Sequence, residues 1–252
     1  MFAAGLVSVS FREERPESIL RVASAAGLSG IEWGGDVHVP PGDLDTARSV
    51  ARLTAGAGLQ VFAYGSYYRL GMSANPASDF LPVLDTAEAL GAPFIRLWGG
   101  RKGSAALSRP EFEQMAGEMR ILAGLAAERE ITLTLECHAG TLTDDYPSSL
   151  RFLALVGRPN VQMYWQPNQF RSFGYNLEAA RALAPHTAHL HVFHWDARGR
   201  YPLREGEADW RAYLAAFREA GGNHALLLEF MHDGRLSTLR ETAATLKEWL
   251  SS

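Results

Sequence analysis

The chain has 252 residues, of which 47% are hydrophobic and 21% charged, and its formal net charge is −4. This length suits one large α/β barrel or two smaller domains. The sequence has no long basic run, which argues against a nucleic-acid partner, because phosphate backbones are bound by concentrated Lys and Arg side chains.

Two further features bear on the cellular compartment. Cys137 is the only cysteine, so no intrachain disulfide is expected and a reducing environment is indicated. No apolar run reaches the roughly 18 residues of a transmembrane helix, and MFAAGLVSVSF lacks the basic start of a signal peptide. We therefore expect a cytoplasmic protein with no membrane partner.

Eight strand-like segments alternate with eight helix-like segments along the chain. The strand segments are AGLVSVS, GIEWG, LQVFAYG, PFIRLWGG, ITLTLECH, VQMYWQ, AHLHVFH and ALLLEF. The helical segments are 16–27, 44–58, 76–91, 110–129, 146–157, 177–184, 209–221 and 237–250. Pro near the start and Gly just after the end mark several of the helices, as is typical of helix boundaries.

The strand ends recur at a spacing of roughly 30 residues, and no linker-like stretch interrupts them. This pattern predicts an α/β fold, a single (β/α)₈ TIM barrel spanning residues 1–252. An open doubly wound sheet is the alternative. That fold would be supported by a GxGxxG turn after the first strand, and the sequence has none there.

The direction of the side chains at the strand ends follows from β-strand alternation. In ITLTLE, Leu133 and Leu135 share one face, so Glu136 lies on the opposite face, towards the barrel interior. The same count places polar groups inside at the carboxyl ends of the fifth to eighth strands, where barrel enzymes keep their active sites. These groups are Glu136, Gln166, His191 and Glu229.

This set of side chains predicts a metal site. Carboxylates buried near each other need a cation or protons to compensate them. Two carboxylates, one imidazole and one amide oxygen suit one divalent metal ion, Mn²⁺ or Mg²⁺ first, with Co²⁺ or Zn²⁺ as alternatives. The predicted metal ligands are therefore Glu136, Gln166, His191 and Glu229.

Other residues near the strand ends are candidates for substrate contact. An aromatic rim suits the apolar faces of a sugar ring. Arg96 is predicted to face inward, where it needs Glu32 or Glu136 as a partner, and a purely structural ion pair is an equally good interpretation. Arg101 and Lys102 could hold a phosphate, but a solvated loop is the simpler interpretation. The predicted substrate-binding residues are Glu32, Tyr64, Arg96, Trp98, His138, Asn168 and His189.

With these motifs the whole chain resembles the xylose isomerase-like TIM-barrel superfamily, in its sugar phosphate isomerase/epimerase branch. LECH (Glu136, His138), HVFHW (His191) and LLLEF (Glu229) are similar to the family's motifs in strands five, seven and eight. The resemblance implies one divalent metal bound by Glu, Asp, His and Glu, with the two glutamates as an acid/base pair. Gln166, in QPNQ, stands where the family has Asp, and a neutral ligand there predicts weaker metal binding.

The predicted function is a metal-dependent isomerase or epimerase that acts on a small sugar or sugar-like polyol. Glu136 and Glu229 are the predicted catalytic residues, which move a proton next to a carbonyl through an enediolate. Two alternatives stay open: a dehydratase or lyase on the same barrel, and a sugar-binding barrel that has lost its metal. A small carbohydrate is the expected partner, and a homo-oligomer is compatible with the sequence.

Overall fold

Ten β-strands and eight α-helices occur along residues 1–251, the part of the chain that the computed structural model describes. The strands are β1 (Phe2–Val7), β2 (Gly30–Gly34), β3 (Gln60–Arg69), β4 (Phe94–Trp98), β5 (Thr132–Glu136), β6 (Val161–Trp165), β7 (Thr187–Val192), β8 (Trp195–Asp196), β9 (Gly199–Arg200) and β10 (His224–Leu228). The α-helices are α1 (Pro16–Ala25), α2 (Leu44–Gly56), α3 (Pro76–Leu90), α4 (Arg109–Ala127), α5 (Tyr146–Val156), α6 (Phe173–Leu183), α7 (Glu207–Ala220) and α8 (Leu239–Leu250).

Eight of the strands close into a parallel barrel in the order β1-β10-β7-β6-β5-β4-β3-β2. The barrel closes where β1 pairs with β10 on one side and β2 on the other, with Leu6 opposite Leu228 and Ile31. The strands β8 and β9 form a separate antiparallel hairpin after β7. The predicted TIM barrel is therefore confirmed, and the open doubly wound sheet is excluded.

Local capping explains where two helices begin. At the start of α4, the Ser108 hydroxyl accepts a hydrogen bond from the backbone of Glu111, whose carboxylate accepts one from the backbone of Ser108. The helix α6 begins at Phe173, four residues before the predicted start, because the Ser172 side chain accepts a bond from the backbone of Tyr175. No helix within residues 1–251 is long and apolar enough to cross a membrane.

The strands separate two apolar layers. The outward-facing residues Leu97, Leu133 and Leu190 are fully buried in the large core between barrel and helices. The inward-facing residues Ala225 and Leu227 belong to a smaller core inside the barrel. This division follows the alternation read from the sequence, so the opposite parity of each strand is left for the side chains of the barrel interior.

The strand β3 is the one that departs most from the prediction. It continues past Gly65 to Arg69, and its pairing with β4 shifts register between these two residues. Tyr67, inside the shifted segment, has a φ of 60°, which is uncommon for a bulky residue. Such an irregularity breaks the simple alternation of side chains, so parity counting fails at this end of β3.

Candidate metal centre at the barrel mouth

Four polar side chains from neighbouring strands meet at the carboxyl-terminal mouth of the barrel. Glu136 is the last residue of β5, and His191 is the second-last residue of β7. Gln166 and Glu229 directly follow β6 and β10. Because these four strands are adjacent, their ends stand side by side, and all four side chains are buried.

The imidazole of His191 lies at the centre of this group. Its Nδ1 atom is 2.8 Å from Oε1 of Gln166, 3.6 Å from Oε2 of Glu229 and 3.8 Å from Oε1 of Glu136. The donor atoms of Glu136, His191 and Glu229 all lie within 4.8 Å of one another. The structure therefore brings together all four side chains for which the sequence predicts a ligand role.

Arg96 lies below this group, between two carboxylates. Its Nε atom donates to Oε1 of Glu32 at 2.7 Å, and its Nη1 atom donates to Oε2 of Glu136. The guanidinium is 2% exposed, so both pairs are shielded from water. The prediction that Arg96 pairs with Glu32 or Glu136 is confirmed for both partners. Arg96 and Glu32 were predicted to bind substrate. In the structure both are buried, and they contact the side chains of the centre.

Glu32 also orients the central imidazole. Its Oε2 atom lies 3.4 Å from Nε2 of His191, on the side of the ring opposite the three other acceptors. If Nε2 carries the proton, Nδ1 presents its lone pair towards Gln166 and the two other glutamates. A carboxylate that holds the far nitrogen of a histidine in this way is a common feature of metal sites. Burial opposes the ionisation of Glu32, but Arg96 and His191 outweigh it and lower its pKa.

The charge of the cluster is unbalanced unless protons or a cation are added. Three carboxylates, Glu32, Glu136 and Glu229, face one guanidinium, Arg96, which leaves two negative charges in a buried site. Burial, with the neighbouring Glu136, raises the pKa of Glu229 to about 7, although His191 acts in the opposite direction. Either two protons or one divalent cation would neutralise the site. The donor set of three oxygens and one nitrogen thus fits a divalent ion.

His189, one step deeper on the same face of β7, has a different environment. Its Nδ1 atom accepts a hydrogen bond from the backbone N–H of Ala225 at 3.1 Å, so the proton of the neutral ring lies on Nε2. The ring packs edge-on against Phe94, with centroids 4.4 Å apart. Burial lowers the pKa of His189 to about 4. This histidine, a predicted substrate-binding residue, is part of the barrel floor beneath the polar centre.

The predicted contact residues Trp98 and His138 lie together at the rim. Their rings stack with centroids 4.4 Å apart and planes 24° apart. His138 is half-buried, and its Nδ1 atom lies 2.8 Å from the carbonyl oxygen of Ala139, which leaves Nε2 free to donate or accept elsewhere. This pair forms one wall beside β4 and β5.

Two other predicted contact residues make structural hydrogen bonds, and of these Asn168 also lines a cavity with His138 and Gln166. The hydroxyl of Tyr64 donates to the carbonyl of Val39 at 2.8 Å, and its ring is fully buried in the outer core. Asn168 shapes its own loop, because its side-chain oxygen accepts from the backbone of Phe170 and its backbone N–H donates to Asn176. Tyr64 points outward by regular alternation, because Ala63 belongs to the inner core and Gly65 lies against Arg96 and Glu32.

Two aromatic residues at the mouth belong to the aromatic rim that the sequence indicated, but they were not among the predicted substrate-binding residues. Tyr67 lies close to Arg96, with the guanidinium carbon 5.5 Å from the ring centroid, and its hydroxyl accepts from Arg12 at 2.7 Å. Phe230, on the opposite side, has a φ of 51° and packs with the inner core. Backbone strain at aromatic residues is concentrated around functional sites. The aromatic run YGSYYR was the only signal in the sequence that could have drawn attention to this segment.

The family model described as xylose isomerase-like TIM barrel matches residues 20–252. This chain belongs to the xylose isomerase-like TIM barrel family. The resemblance that the strand-end motifs indicated is therefore confirmed.

A relative in sequence is the 3-dehydroshikimate dehydratase of Bacillus anthracis. It is 28% identical over 169 residues, which cover 63% of this chain and 59% of that enzyme. The aligned region thus spans less than two thirds of the relative's length.

Solved structures share the whole barrel. The probable 3-DHS dehydratase AsbF of Bacillus anthracis superposes with a TM-score of 0.80 at 21% identity, covering 98% of this chain and 99% of that one. The IolI protein, solved with a bound zinc atom, gives 0.76 at 15% identity, covering 98% and 96%. The D-psicose 3-epimerase of Clostridium cellulolyticum H10, solved with D-tagatose, gives 0.72 at 13% identity, covering 99% and 98%. At these identities the likeness establishes the shared fold.

Proposed function

We propose that this protein is a metal-dependent enzyme that removes a proton from the carbon next to a carbonyl in a small, carbohydrate-like hydroxylated compound. The observation that carries the proposal is the convergence of Glu136, Gln166, His191 and Glu229 on one buried point at the barrel mouth. A site that carries two excess negative charges suits a divalent cation.

Glu136, Gln166, His191 and Glu229 would hold the ion, with Glu32 fixing the orientation of His191. When bound, the ion supplies positive charge that stabilises the oxygens of an enediolate. Its affinity depends on Gln166, because an amide oxygen contributes no charge where the family pattern has a carboxylate. The IolI protein, which shares this barrel, was solved with a bound zinc atom, and this supports a metal in the present chain.

The two glutamates are suited to different tasks. One oxygen of Glu136 accepts from Arg96, so a proton on that oxygen would have to displace the guanidinium. Glu229 has no such partner among the described residues; its nearest cation-forming neighbour is His191 at 3.6 Å. We therefore assign the proton-accepting role to Glu229 and a holding role to Glu136.

Because only Glu229 is assigned as a proton acceptor, a dehydratase, which removes a single proton from carbon, is the first candidate. Glu229 takes the proton from the carbon, the enediolate collapses, and a hydroxyl on the next carbon leaves as water after receiving a proton. His138, at the rim two residues beyond Glu136, is the acid that the chain offers for this step. The relatedness in sequence to a 3-dehydroshikimate dehydratase supports the same reaction class.

An isomerase or epimerase, the function predicted from the sequence, is the second candidate. It is favoured by the closeness of Glu136 and Glu229 to the same nitrogen of His191, since an epimerase needs proton-transfer groups on both sides of an enediolate. The shared barrel with a D-psicose 3-epimerase agrees with it. Arg96 would then have to release Glu136 during the reaction.

The test is proton exchange in deuterated water with Mn²⁺ present, followed by mass spectrometry of 3-dehydroshikimate and of D-tagatose. Loss of water from the first compound supports the dehydratase, and deuterium uptake by the second without loss of water supports the isomerase or epimerase. The Glu229→Gln variant should be slower by at least about 10²-fold, whereas the exposed control Glu219→Gln should retain the rate. Exchange that is undiminished in Glu229→Gln would contradict the assigned role.

A further inference from the structure

Arg69 lies at the mouth with an unusual set of neighbours. It is the last residue of β3, and its guanidinium carbon lies 3.6 Å from the centroid of the Trp98 ring. Its Nη1 atom donates to the carbonyl of Gly100 at 3.2 Å. Stacking and one backbone contact fix the plane of the guanidinium while its remaining N–H groups keep their capacity to donate.

Within residues 1–251, no carboxylate lies within ion-pair distance of Arg69 or Arg101. Burial, and then the charge of Arg101, lower the pKa of Arg69, so the two cations repel each other across this part of the rim. Two neighbouring like charges without a counter-charge are unfavourable unless an anion is bound between or beside them.

Two other cations near the mouth have counter-charges. Arg12 pairs with Asp36, and Lys102, in the same loop as Arg101, pairs with Glu111. Both Arg101 and Lys102 were considered from the sequence as ligands of a phosphate. Because Lys102 pairs with Glu111, only Arg101 remains as a candidate in this loop. Arg69 and Arg101 differ from these two cations in having no carboxylate within ion-pair distance among residues 1–251.

The indole beneath Arg69 links this place to the reaction centre. Trp98 stacks with His138, two residues beyond Glu136, and the charge of Glu136 acts on Arg69. The Nε1 atom of Trp98 is buried and has no acceptor among the described residues. A molecule held at Arg69 would therefore reach His138 and the metal centre without being large.

We infer that Arg69, with Arg101 beside it, binds an oxyanion substituent of the substrate, a carboxylate or a phosphate. This inference rests on the proposed function and narrows its substrate class to anionic hydroxylated carbonyl compounds, as opposed to neutral sugars. A guanidinium recognises either oxyanion through paired N–H donors, which explains why an arginine is placed here.

The experiment measures binding of three probes by isothermal titration calorimetry, with and without bound Mn²⁺. The probes are quinate, a polyol with a carboxylate; inorganic phosphate; and myo-inositol, a neutral polyol. The proteins are the unchanged chain, Arg69→Gln, Arg69→Lys and the exposed, distant control Arg21→Gln. The thermal midpoint of each variant verifies folding, and Trp98 fluorescence gives a second readout of occupancy beside Arg69.

We expect at least one of the anionic probes to bind more tightly than myo-inositol. Arg69→Gln should weaken that binding by about tenfold or more, Arg69→Lys should weaken it less, and Arg21→Gln should leave it unchanged. Binding of quinate alone assigns a carboxylate, and binding of phosphate alone assigns a phosphate ester. Mn²⁺ affinity should be the same in Arg69→Gln as in the unchanged chain.

Two results would overturn the inference: anionic probes that bind no more tightly than myo-inositol, or equal anion affinity in Arg69→Gln and the unchanged chain. A failure of the proposed function has a different signature, because the unchanged chain would then bind no Mn²⁺ while the anion measurement without metal could still be made.

Discussion

Two layers of the barrel interior, one above the other, show how strongly surroundings decide chemistry. His191 and His189 lie on the same strand and the same face, two residues apart. His191 faces three carboxylates, and despite the opposing effect of burial they raise its pKa. His189 faces Phe94 and a backbone N–H, and burial lowers its pKa to about 4.

The lower layer is built for packing and the upper layer for binding charge. Below, a neutral histidine fills the barrel together with the aromatic rings of Phe62 and Phe94. Above, several buried carboxylates lie near one another and repel. Only a cation or bound protons can offset this repulsion. The boundary between the packed barrel floor and the proposed metal centre therefore lies between these two histidines.

The largest expected change comes from breaking the buried ion network of the upper layer. Glu136→Gln leaves Arg96 with Glu32 as its remaining partner, so we expect the free energy of unfolding to fall by about 3 kcal/mol in metal-free protein. Urea unfolding measures this change. Glu113→Gln, which removes an exposed pair with Arg109, is the matched control and should change stability little. An equally small change in Glu136→Gln would show that the network contributes no stability.

The next effect separates the two histidines directly. His191→Asn removes the central ligand, so Mn²⁺ affinity should fall by at least about 100-fold. His189→Asn changes the floor of the barrel and should leave Mn²⁺ affinity within about threefold, since removing a distant group has little effect on binding. Calorimetric titration of chelator-treated protein measures both. Similar losses in the two variants would mean that the layers are not distinct.

A pH dependence should come from the lower layer. The pKa of His189 is about 4 in the folded protein and near 6.5 in the unfolded chain, so the unfolded chain takes up the proton first. Its contribution to stability is therefore present above pH 6.5 and is lost as the pH falls towards 4. Between pH 7 and pH 5 the loss should be about 2 kcal/mol.

His189→Gln removes this titrating group and is compared with the unchanged chain in urea unfolding of metal-free protein. The variant should lose about 2 kcal/mol less than the unchanged chain between pH 7 and pH 5. Parallel pH dependences of the two proteins would contradict the assignment of a neutral His189 to the folded state.

The smallest expected effect concerns the neutral ligand. Gln166→Asp adds a third negative charge to those of Glu136 and Glu229 and should tighten Mn²⁺ binding by about tenfold. The same titration measures it, with Asn168→Asp in the adjacent loop as a control for added charge. Unchanged or weaker affinity in Gln166→Asp would place Gln166 outside the coordination shell.

Much of this fold could be predicted from the sequence because regular strands and helices obey simple periodicities. Strand alternation correctly predicted that Glu136 faces the barrel interior. It also assigned the side chains at the ends of four strands to one site. Tyr64 was predicted as a contact residue from its place at the end of a strand, but Ala63 and Gly65 face inward, so alternation itself directs Tyr64 outward. The register shift comes after Tyr64, between Gly65 and Arg69, in the segment that carries Tyr67. Nothing local in the sequence distinguishes a regular strand from one that contains such a shift.

The support of the site was harder to predict than its centre. The pairing of Arg96 was expected because a buried guanidinium needs a carboxylate. The contact of Glu32 with the far nitrogen of His191 joins residues that are 159 positions apart in the chain, and the stacking of Arg69 on Trp98 depends on the irregular end of β3. The first contact depends on the closure of the barrel and the second on the pairing of β3 with β4. Neither can be predicted from the residue pattern of a single strand.

The most direct test of the proposed metal centre is an anomalous difference map from crystals of the protein soaked in Mn²⁺. The account predicts one peak per chain, within coordination distance of Nδ1 of His191 and of carboxylate oxygens of Glu136 and Glu229. A map with no peak at the barrel mouth, or with its only peak elsewhere on the protein, would contradict the account.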